Sequence, residues 1–233
     1  MKDYYLLIAV IAVLLIGAVK GYNRGFLRLA VWFAGIIAVL FIVTKLSSHV
    51  SSFLIDNTSI YDNLRVRIIE AYEGGAIESV TDTATPGSES EDKAIDSFGF
   101  PELISDYLKT NNTSEIYEKL AISLFEDYIA GYLAALSIKS GTFVGLFILF
   151  IIVEFIVLMA VKVLEKIPVL RTINRLAGMA TGITLSLVFI WVFFLAAMMF
   201  FGRSFGGWIF AQVGSSRFLS YLFNNNILFE LIE

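Results

Sequence analysis

Four long apolar segments, three of them without a charged residue, constrain what this chain of 233 residues can fold into. They are Tyr4–Val19, Leu29–Thr44, Ser140–Val161 and Leu176–Gly202, with Glu154 as their single acidic residue. A helix needs roughly 17–25 apolar residues to cross a bilayer, and flanking lysines and arginines lengthen the two shorter segments because their charges reach the interface. We therefore predict an all-α integral membrane protein with four transmembrane helices.

The composition agrees with this prediction and excludes several other classes of protein. Charged residues make up 16% of the chain and the mean hydropathy is +0.79, whereas about 25% of a soluble domain is charged. The net charge of −4 argues against a nucleic-acid partner, because that affinity depends on a basic surface. The absence of cysteine excludes a disulfide framework and a thiolate metal site.

The first apolar segment has a second interpretation, as the hydrophobic region of a secretory signal peptide. Asp3 cancels the positive charge of Lys2, no A-x-A cleavage site follows, and another apolar segment begins within a few residues. We therefore interpret Tyr4–Val19 as a transmembrane helix.

Basic residues in the two short connections predict the orientation. They are Lys20, Arg24 and Arg28 in the first connection, and Lys162, Lys166, Arg171 and Arg175 in the third. Short loops rich in lysine and arginine stay in the cytoplasm, so both connections are predicted to be cytoplasmic. Both termini and the long middle segment are then extracytoplasmic.

The predicted organisation has four parts: a first transmembrane hairpin (1–45), an acidic extracytoplasmic segment (46–139), a second hairpin (140–202) and an interfacial C-terminal helix (203–233). Apolar periodicity in the middle segment predicts amphipathic helices over 57–72 and 114–138. The Gly- and Ser-rich, acidic stretch 74–96 has too little apolar surface to offset chain entropy, so we predict a flexible, disordered linker there.

Small residues four positions apart predict where the membrane helices pack against one another. They are Gly17, Gly21 and Gly25; Ala30, Ala34 and Ala38; Gly141 and Gly145; and Gly178 and Gly182. Lipid gives apolar helices no hydrophobic reason to associate, so close approach at small residues matters. For Gly21 and Gly25, a tight turn between two helices is an equally good interpretation.

Two short motifs resemble a known family. The first is Gly21-Tyr22-Asn23-Arg24-Gly25-Phe26-Leu27-Arg28, between the first two apolar segments. The second is Lys166-Ile167-Pro168-Val169-Leu170 followed by Asn174-Arg175-Leu176-Ala177-Gly178. Together they resemble the CvpA family, named for colicin V production, whose members look like four-span membrane proteins with a G-x-x-R-G-F turn.

The resemblance implies a protein of the bacterial cytoplasmic membrane that supports toxin production or export, or envelope homeostasis, as a scaffold or accessory factor rather than a catalyst. Membrane lipids and a membrane-protein partner or second copy are the expected partners, and no cofactor is expected. The candidate functional or packing residues are Gly21, Arg24, Gly25, Phe26, Glu154, Asn174, Arg175, Gly178 and Gly182. Without the family, the first motif has a structural interpretation, in which Arg24 and Arg28 reach anionic headgroups and Tyr22 and Phe26 lie at the interface.

Glu154 is the one acidic residue inside a predicted span. A charge at the centre of a membrane helix costs roughly 2.5–3.5 kcal/mol on insertion scales, so such residues face protein or water and are candidates for transport or proton relay. Pairing with Lys162 or hydrogen bonds to a neutral carboxyl group are the structural alternatives. The second functional hypothesis is therefore a small transporter or channel subunit with a path near Glu154.

Other chemistry has weaker support in the sequence. Gly202–Gly206 fits the G-x-S-x-G expression of serine hydrolases, but Ser204 follows a membrane helix rather than a strand, and His49 is the only histidine. Glu89, Glu91 and Asp92 are interpreted as a solvated acidic stretch rather than a calcium site. No P-loop motif is present. We predict that the protein is not an enzyme and has no catalytic, cofactor or metal site.

Overall fold

The computed structural model describes residues 4–72, 86–120, 122, 124–160 and 171–232, and these residues form helices and short connections without any strand. The helices are α1 (Tyr5–Arg24), α2 (Phe26–Asn57), α3 (Ile60–Tyr72), α4 (Glu89–Ser97), α5 (Glu102–Asn111), α6 (Ser114–Leu120), α7 (Phe125–Ala160), α8 (Arg171–Met198), α9 (Ser204–Ser215), α10 (Arg217–Asn224) and α11 (Phe229–Ile232).

Four helices are long and apolar enough to cross a membrane, which confirms the predicted fold class. The candidate spans are Tyr5–Arg24, Leu29–Asn57, Phe125–Val157 and Thr172–Met198. Most of their surface faces away from the rest of the chain, since between 17% and 39% of each apolar window is buried. Such a surface suits a lipid environment, where apolar side chains need not be covered by protein.

Two of these helices are longer than their apolar segments. α2 continues past Lys45 to Asn57, and α7 begins at Phe125, well before Ser140. The helix predicted over 114–138 is thus divided, with α6 in its first half and α7 running from its second half into the third span. Lys45 and Lys139 do not interrupt the helices, because a charged side chain leaves backbone hydrogen bonding intact.

The long helices pack in antiparallel pairs. Gly17 of α1 faces Gly182 and Ser186 of α8, whereas Gly25 faces Asn174, so the order along one helix is reversed along the other. α7 packs on α8 as well, where the Ser137 hydroxyl donates to the Met198 carbonyl at 3.0 Å.

α2 and α3 run antiparallel to α7 along its length. Trp32 of α2 contacts Phe155 near the end of α7, with ring centroids 6.0 Å apart. Arg65 of α3 forms an ion pair with Asp127 in the first turn of α7. α7 therefore connects the membrane bundle with the helices at one of its ends.

Those helices, α3–α6 and α9–α11, form what we name the cap, at the end of the bundle opposite Gly25. Their core side chains are almost completely buried and include Ile68, Ile95, Ile104, Leu108, Ile209, Phe210 and Phe223. The Tyr128 hydroxyl of α7 donates to the Leu108 carbonyl at 2.6 Å, and the Trp191 indole of α8 donates to the Leu222 carbonyl at 3.0 Å. The cap is thus fixed to both α7 and α8.

The structure corrects the flexible linker predicted over 74–96. Residues 89–97 form α4, in which Ile95 is buried and Glu91 is only 1% exposed. One carboxylate oxygen of Glu91 accepts hydrogen bonds from the Gly87 amide at 2.8 Å and the Asn112 side-chain amide at 2.7 Å. Tertiary contacts therefore order an acidic sequence that has little apolar surface of its own. The rest of the predicted linker, through residue 85, lies outside the described residues.

The C-terminal region also differs from its prediction. In place of one interfacial helix over 203–233, the described residues form α9, α10 and α11. Ser216 separates the first two because its backbone is extended and its hydroxyl accepts a hydrogen bond from the Leu219 amide. A serine in this position is a favourable helix N-cap, so the chain starts a new helix instead of extending the old one.

Candidate functional site

The turn between α1 and α2 lies against the first turn of α8. Gly25 has a φ of +76°, a conformation that favours glycine, and its amide donates to the Gly21 carbonyl at 2.9 Å. A Cβ at Gly25 would lie 3.0 Å from the side-chain amide carbon of Asn174. Gly25 is therefore required for both the turn conformation and the contact with α8.

From this turn back along α1 toward Gly17, the backbones of α1 and α8 touch. A Cβ on Gly21 would be 2.9 Å from the carbonyl carbon of Gly178 and 3.1 Å from the Cα of Gly182. A Cβ on Gly17 would be 2.6 Å from the Gly182 carbonyl oxygen. We name the surfaces of Gly17, Gly21, Gly178 and Gly182 the glycine seam. These distances leave no room for any other residue without movement of the two helices.

An aromatic and cationic contact extends the same interface. The guanidinium carbon of Arg175 lies 5.5 Å from the centre of the Tyr22 ring, within the range of a cation–π interaction. The structure thus brings Gly21 and Gly25 of the first motif together with Asn174, Arg175 and Gly178 of the second, and with Gly182 one turn further along α8. Lys166–Leu170, the first part of the second motif, lies outside the described residues. Arg24 and Phe26, the other predicted residues of the first motif, are exposed beside this contact.

A cavity of about 240 Å³ opens beside the glycine seam, between α1, α2, α7 and α8. Its lining includes Lys20, Arg24, Trp32, Ile151, Ser186 and Phe189. The two cations stand at one end of an otherwise largely apolar lining. Sequence reasoning missed this cavity; the available signal was the spacing of Lys20 and Arg24, which places both charges on one face of α1.

Glu154 lies apart from the motif contact, on α7 opposite α2. Both of its carboxylate oxygens are buried and have no hydrogen-bond partner among the described residues. The side chain instead packs against Gly35, in the space that a Cβ there would occupy. Lys162, its predicted partner, lies outside the described residues.

The residues considered for catalysis or metal binding have structural positions. The His49 Nδ1 atom is 3.0 Å from the Lys45 carbonyl on its own helix, and Ser204 is the first residue of α9. Glu89 pairs with Lys93 at 2.7 Å, while Glu91 is engaged inside the cap. Within the described ranges, no three His, Asp or Glu side chains are grouped closely enough to hold a metal ion.

Comparison of the chain with known protein families, with curated proteins and with solved structures finds no match.

Proposed function

We propose that this protein is a CvpA-like, non-catalytic protein of the bacterial cytoplasmic membrane. It supports the production or export of a colicin V type toxin, or envelope homeostasis, as a scaffold or accessory factor. Its expected partners are membrane lipids and either another membrane protein or a second copy of the chain.

One observation carries this proposal: the first motif contacts the described part of the second, Asn174–Gly178. They are separated by about 150 residues of sequence, yet Gly25 meets Asn174 and Gly21 meets Gly178. A chance resemblance in two unrelated short motifs gives no reason for the motifs to lie together. A shared packing interface gives such a reason, because both motifs must then allow the two helix backbones to approach closely.

The contact also agrees with the proposed orientation. The connection after α1 and the start of α8 lie at the same end of the bundle, as four alternating crossings require. Basic side chains at this end, including Lys20, Arg24 and Arg175, favour the cytoplasmic side. The cap and both termini are then extracytoplasmic.

The proposal is tested by deleting the gene in the source bacterium and restoring it with variants. We expect deletion to reduce toxin secretion or to increase sensitivity to detergents, and the wild-type gene to reverse the defect. Gly21→Leu, which forces α1 from α8, should fail to restore function. The matched control is Gly145→Leu, since nothing lies within 4 Å of a Cβ there. Unchanged secretion and envelope resistance after deletion would contradict the proposal.

A second candidate function, a small transporter or channel subunit, has support from Glu154. A carboxyl group without a hydrogen-bond partner inside a span is costly, and such groups often line ion or proton paths. Substituted-cysteine labelling separates the two functions because the native chain has no cysteine. Labelling of a stripe of α7 around Glu154 by a water-soluble reagent would support a path, whereas protected positions favour the scaffold.

Glu154→Gln gives an independent test of the same alternative. The substitution keeps the shape of the side chain but removes its ability to ionise. If Glu154 belongs to a proton or ion path, the variant reaches the membrane at the wild-type level but fails to complement the deletion. Full complementation would leave the scaffold as the proposed function.

A further inference from the structure

Two cavities that share the side chain of Phe189 lie along α1 and α8. The first, described above, has Lys20 and Arg24 at one end and Phe189 in its wall. The second, also about 240 Å³, lies between Val10 and Val13 of α1 and Ile190 and Phe193 of α8, and Phe189 lines it too. We name the first the charged cavity and the second the apolar cavity. Because Phe189 lines both cavities, we describe them together as one groove.

The groove opens toward the side of the bundle that lipid would cover. Phe189, Phe193 and Val13 line it and are all about two-fifths exposed, although each is apolar. Large apolar side chains of this kind are stable on a membrane protein surface only when lipid or another apolar surface covers them. An occupant can therefore enter from within the bilayer.

Together, the charged cavity and the apolar cavity extend along α1 over about the depth of one leaflet. Arg24 and Val13, which lines the apolar cavity, are separated by about 16 Å along α1 at 1.5 Å per residue. That is close to half of the roughly 30 Å hydrocarbon core of a bilayer. An acyl chain whose headgroup lies at Arg24 would thus end near Phe189.

The charge at the cavity entrance indicates which headgroup it suits. Lys20 and Arg24 are one helical turn apart, and neither has an ion-pair partner in the part of the chain that the structure describes. Two unpaired cations beside an apolar wall complement a phosphate group attached to an acyl chain. A zwitterionic lipid would bring its own cation close to the same side chains and lose much of this attraction.

We propose that the charged cavity is a binding site for one anionic phospholipid, with its phosphate between Lys20 and Arg24 and one acyl chain extending to Phe189. This site does not depend on the proposed cellular function, and its test uses purified protein alone.

Trp32 in the cavity wall provides the readout, because bromine atoms on a lipid chain quench a nearby indole. The chain has three tryptophans, so W191F/W208F leaves Trp32 as the only fluorophore. We compare quenching of Trp32 fluorescence in bilayers that contain either brominated phosphatidylglycerol or brominated phosphatidylcholine. We expect this quenching to report an affinity for the anionic lipid about tenfold higher than for the zwitterionic one. K20Q/R24Q in the same background should abolish this preference.

K45Q/R67Q is the matched control, because it removes two exposed cations away from the cavity and should leave the preference unchanged. Equal quenching by the two lipids, or an undiminished preference in K20Q/R24Q, would overturn the proposal. Displacement of the brominated lipid by soluble glycerol phosphate would instead make the site a soluble-phosphate site and overturn the lipid assignment. Native mass spectrometry of the wild-type protein, where phosphatidylglycerol should be retained over phosphatidylcholine, tests the site without any variant.

Discussion

The carboxylate of Glu154 on α7 occupies the space that a side chain on Gly35 of α2 would fill. The Glu154 Cγ atom is 3.2 Å from the position of a Cβ on Gly35, and the carboxylate is closer still. Neither carboxylate oxygen has a hydrogen-bond partner among the described residues. Glu154 is thus held by packing between two membrane helices, and the absence of a side chain at Gly35 makes this possible.

This relationship predicts that the two positions are energetically coupled. Gly35→Ala should destabilise the wild-type protein because the new methyl group displaces the carboxylate. In a Glu154→Ala background, the same substitution should cost much less, since the colliding group is gone. We expect a coupling energy of about 0.5–3 kcal/mol from thermal unfolding of the four proteins in one detergent. Strictly additive effects would contradict the contact.

The glycine seam predicts that a glycine-to-alanine substitution changes stability differently inside the seam and outside it. Gly21→Ala should destabilise the protein by about 1–3 kcal/mol, because its methyl group meets the α8 backbone, which cannot yield as a side chain can. Gly145→Ala has open space and should be neutral or stabilising by up to about 1 kcal/mol, since alanine favours a helix. Thermal unfolding in detergent measures both, and equal effects at the two sites would argue against the seam.

The buried carboxylate of Glu91 predicts which acidic residue orders α4. Glu91→Ala leaves the Gly87 amide and the Asn112 side chain without their acceptor, and should destabilise the cap by about 1–3 kcal/mol. Limited proteolysis should then cut residues 86–97 much faster. Glu89→Ala is the control, because Glu89 is exposed on the same helix. Equal proteolysis of the two variants would show that the Glu91 contacts do not hold α4 in place.

Burial of Tyr117 predicts a loss of cap stability at alkaline pH. Desolvation, with a smaller effect of the Glu91 charge, raises the pKa of Tyr117 above its ordinary value of 10.0. The folded state therefore favours the neutral phenol, so its contribution to stability is fully present below pH 10.0 and is lost as pH rises toward the higher folded-state pKa.

Tyr117→Phe should make unfolding above this pH less steeply dependent on pH. It should also be neutral or stabilising near pH 7, because the Tyr117 hydroxyl is buried and has no hydrogen-bond partner among the described residues. Tyr221→Phe, at an exposed position, should change neither property. Circular dichroism as a function of pH measures both. An unchanged pH dependence in Tyr117→Phe would contradict the assigned role.

The spans and the glycine seam could be predicted from sequence because each depends on a local pattern. Apolar length identified four candidate spans, and the four-residue spacing of Gly17 and Gly21, and of Gly178 and Gly182, identified the faces that pack. The same spacing at Gly141 and Gly145 predicted a contact that is absent at Gly145, where nothing lies within 4 Å of a Cβ. Partners across the fold carry no such pattern. Nothing near Glu91 in sequence indicates that Asn112 will bury it, and the linker prediction failed there for that reason.

The helix ends and the surroundings of Glu154 could not be predicted from the sequence, for a related reason. Charge at Lys45 and Lys139 limits an apolar segment but does not stop helical hydrogen bonding, so α2 and α7 extend beyond the predicted spans. Glu154 could be identified as unusual from its residue type alone. Its contact with Gly35 depends on the register of α2 against α7, which neither helix determines separately.

Cysteine accessibility in intact cells tests most directly that the chain crosses the membrane four times with the cap on one side and the motif turn on the other. Single cysteines are placed at exposed positions: Ser90 and Tyr221 in the cap, Asn23 in the turn and Thr172 at the start of α8. A membrane-impermeant reagent added outside should label the cysteines at 90 and 221, and those at 23 and 172 only after the membrane is permeabilised. Labelling at position 23 or 172 in intact cells would contradict the account.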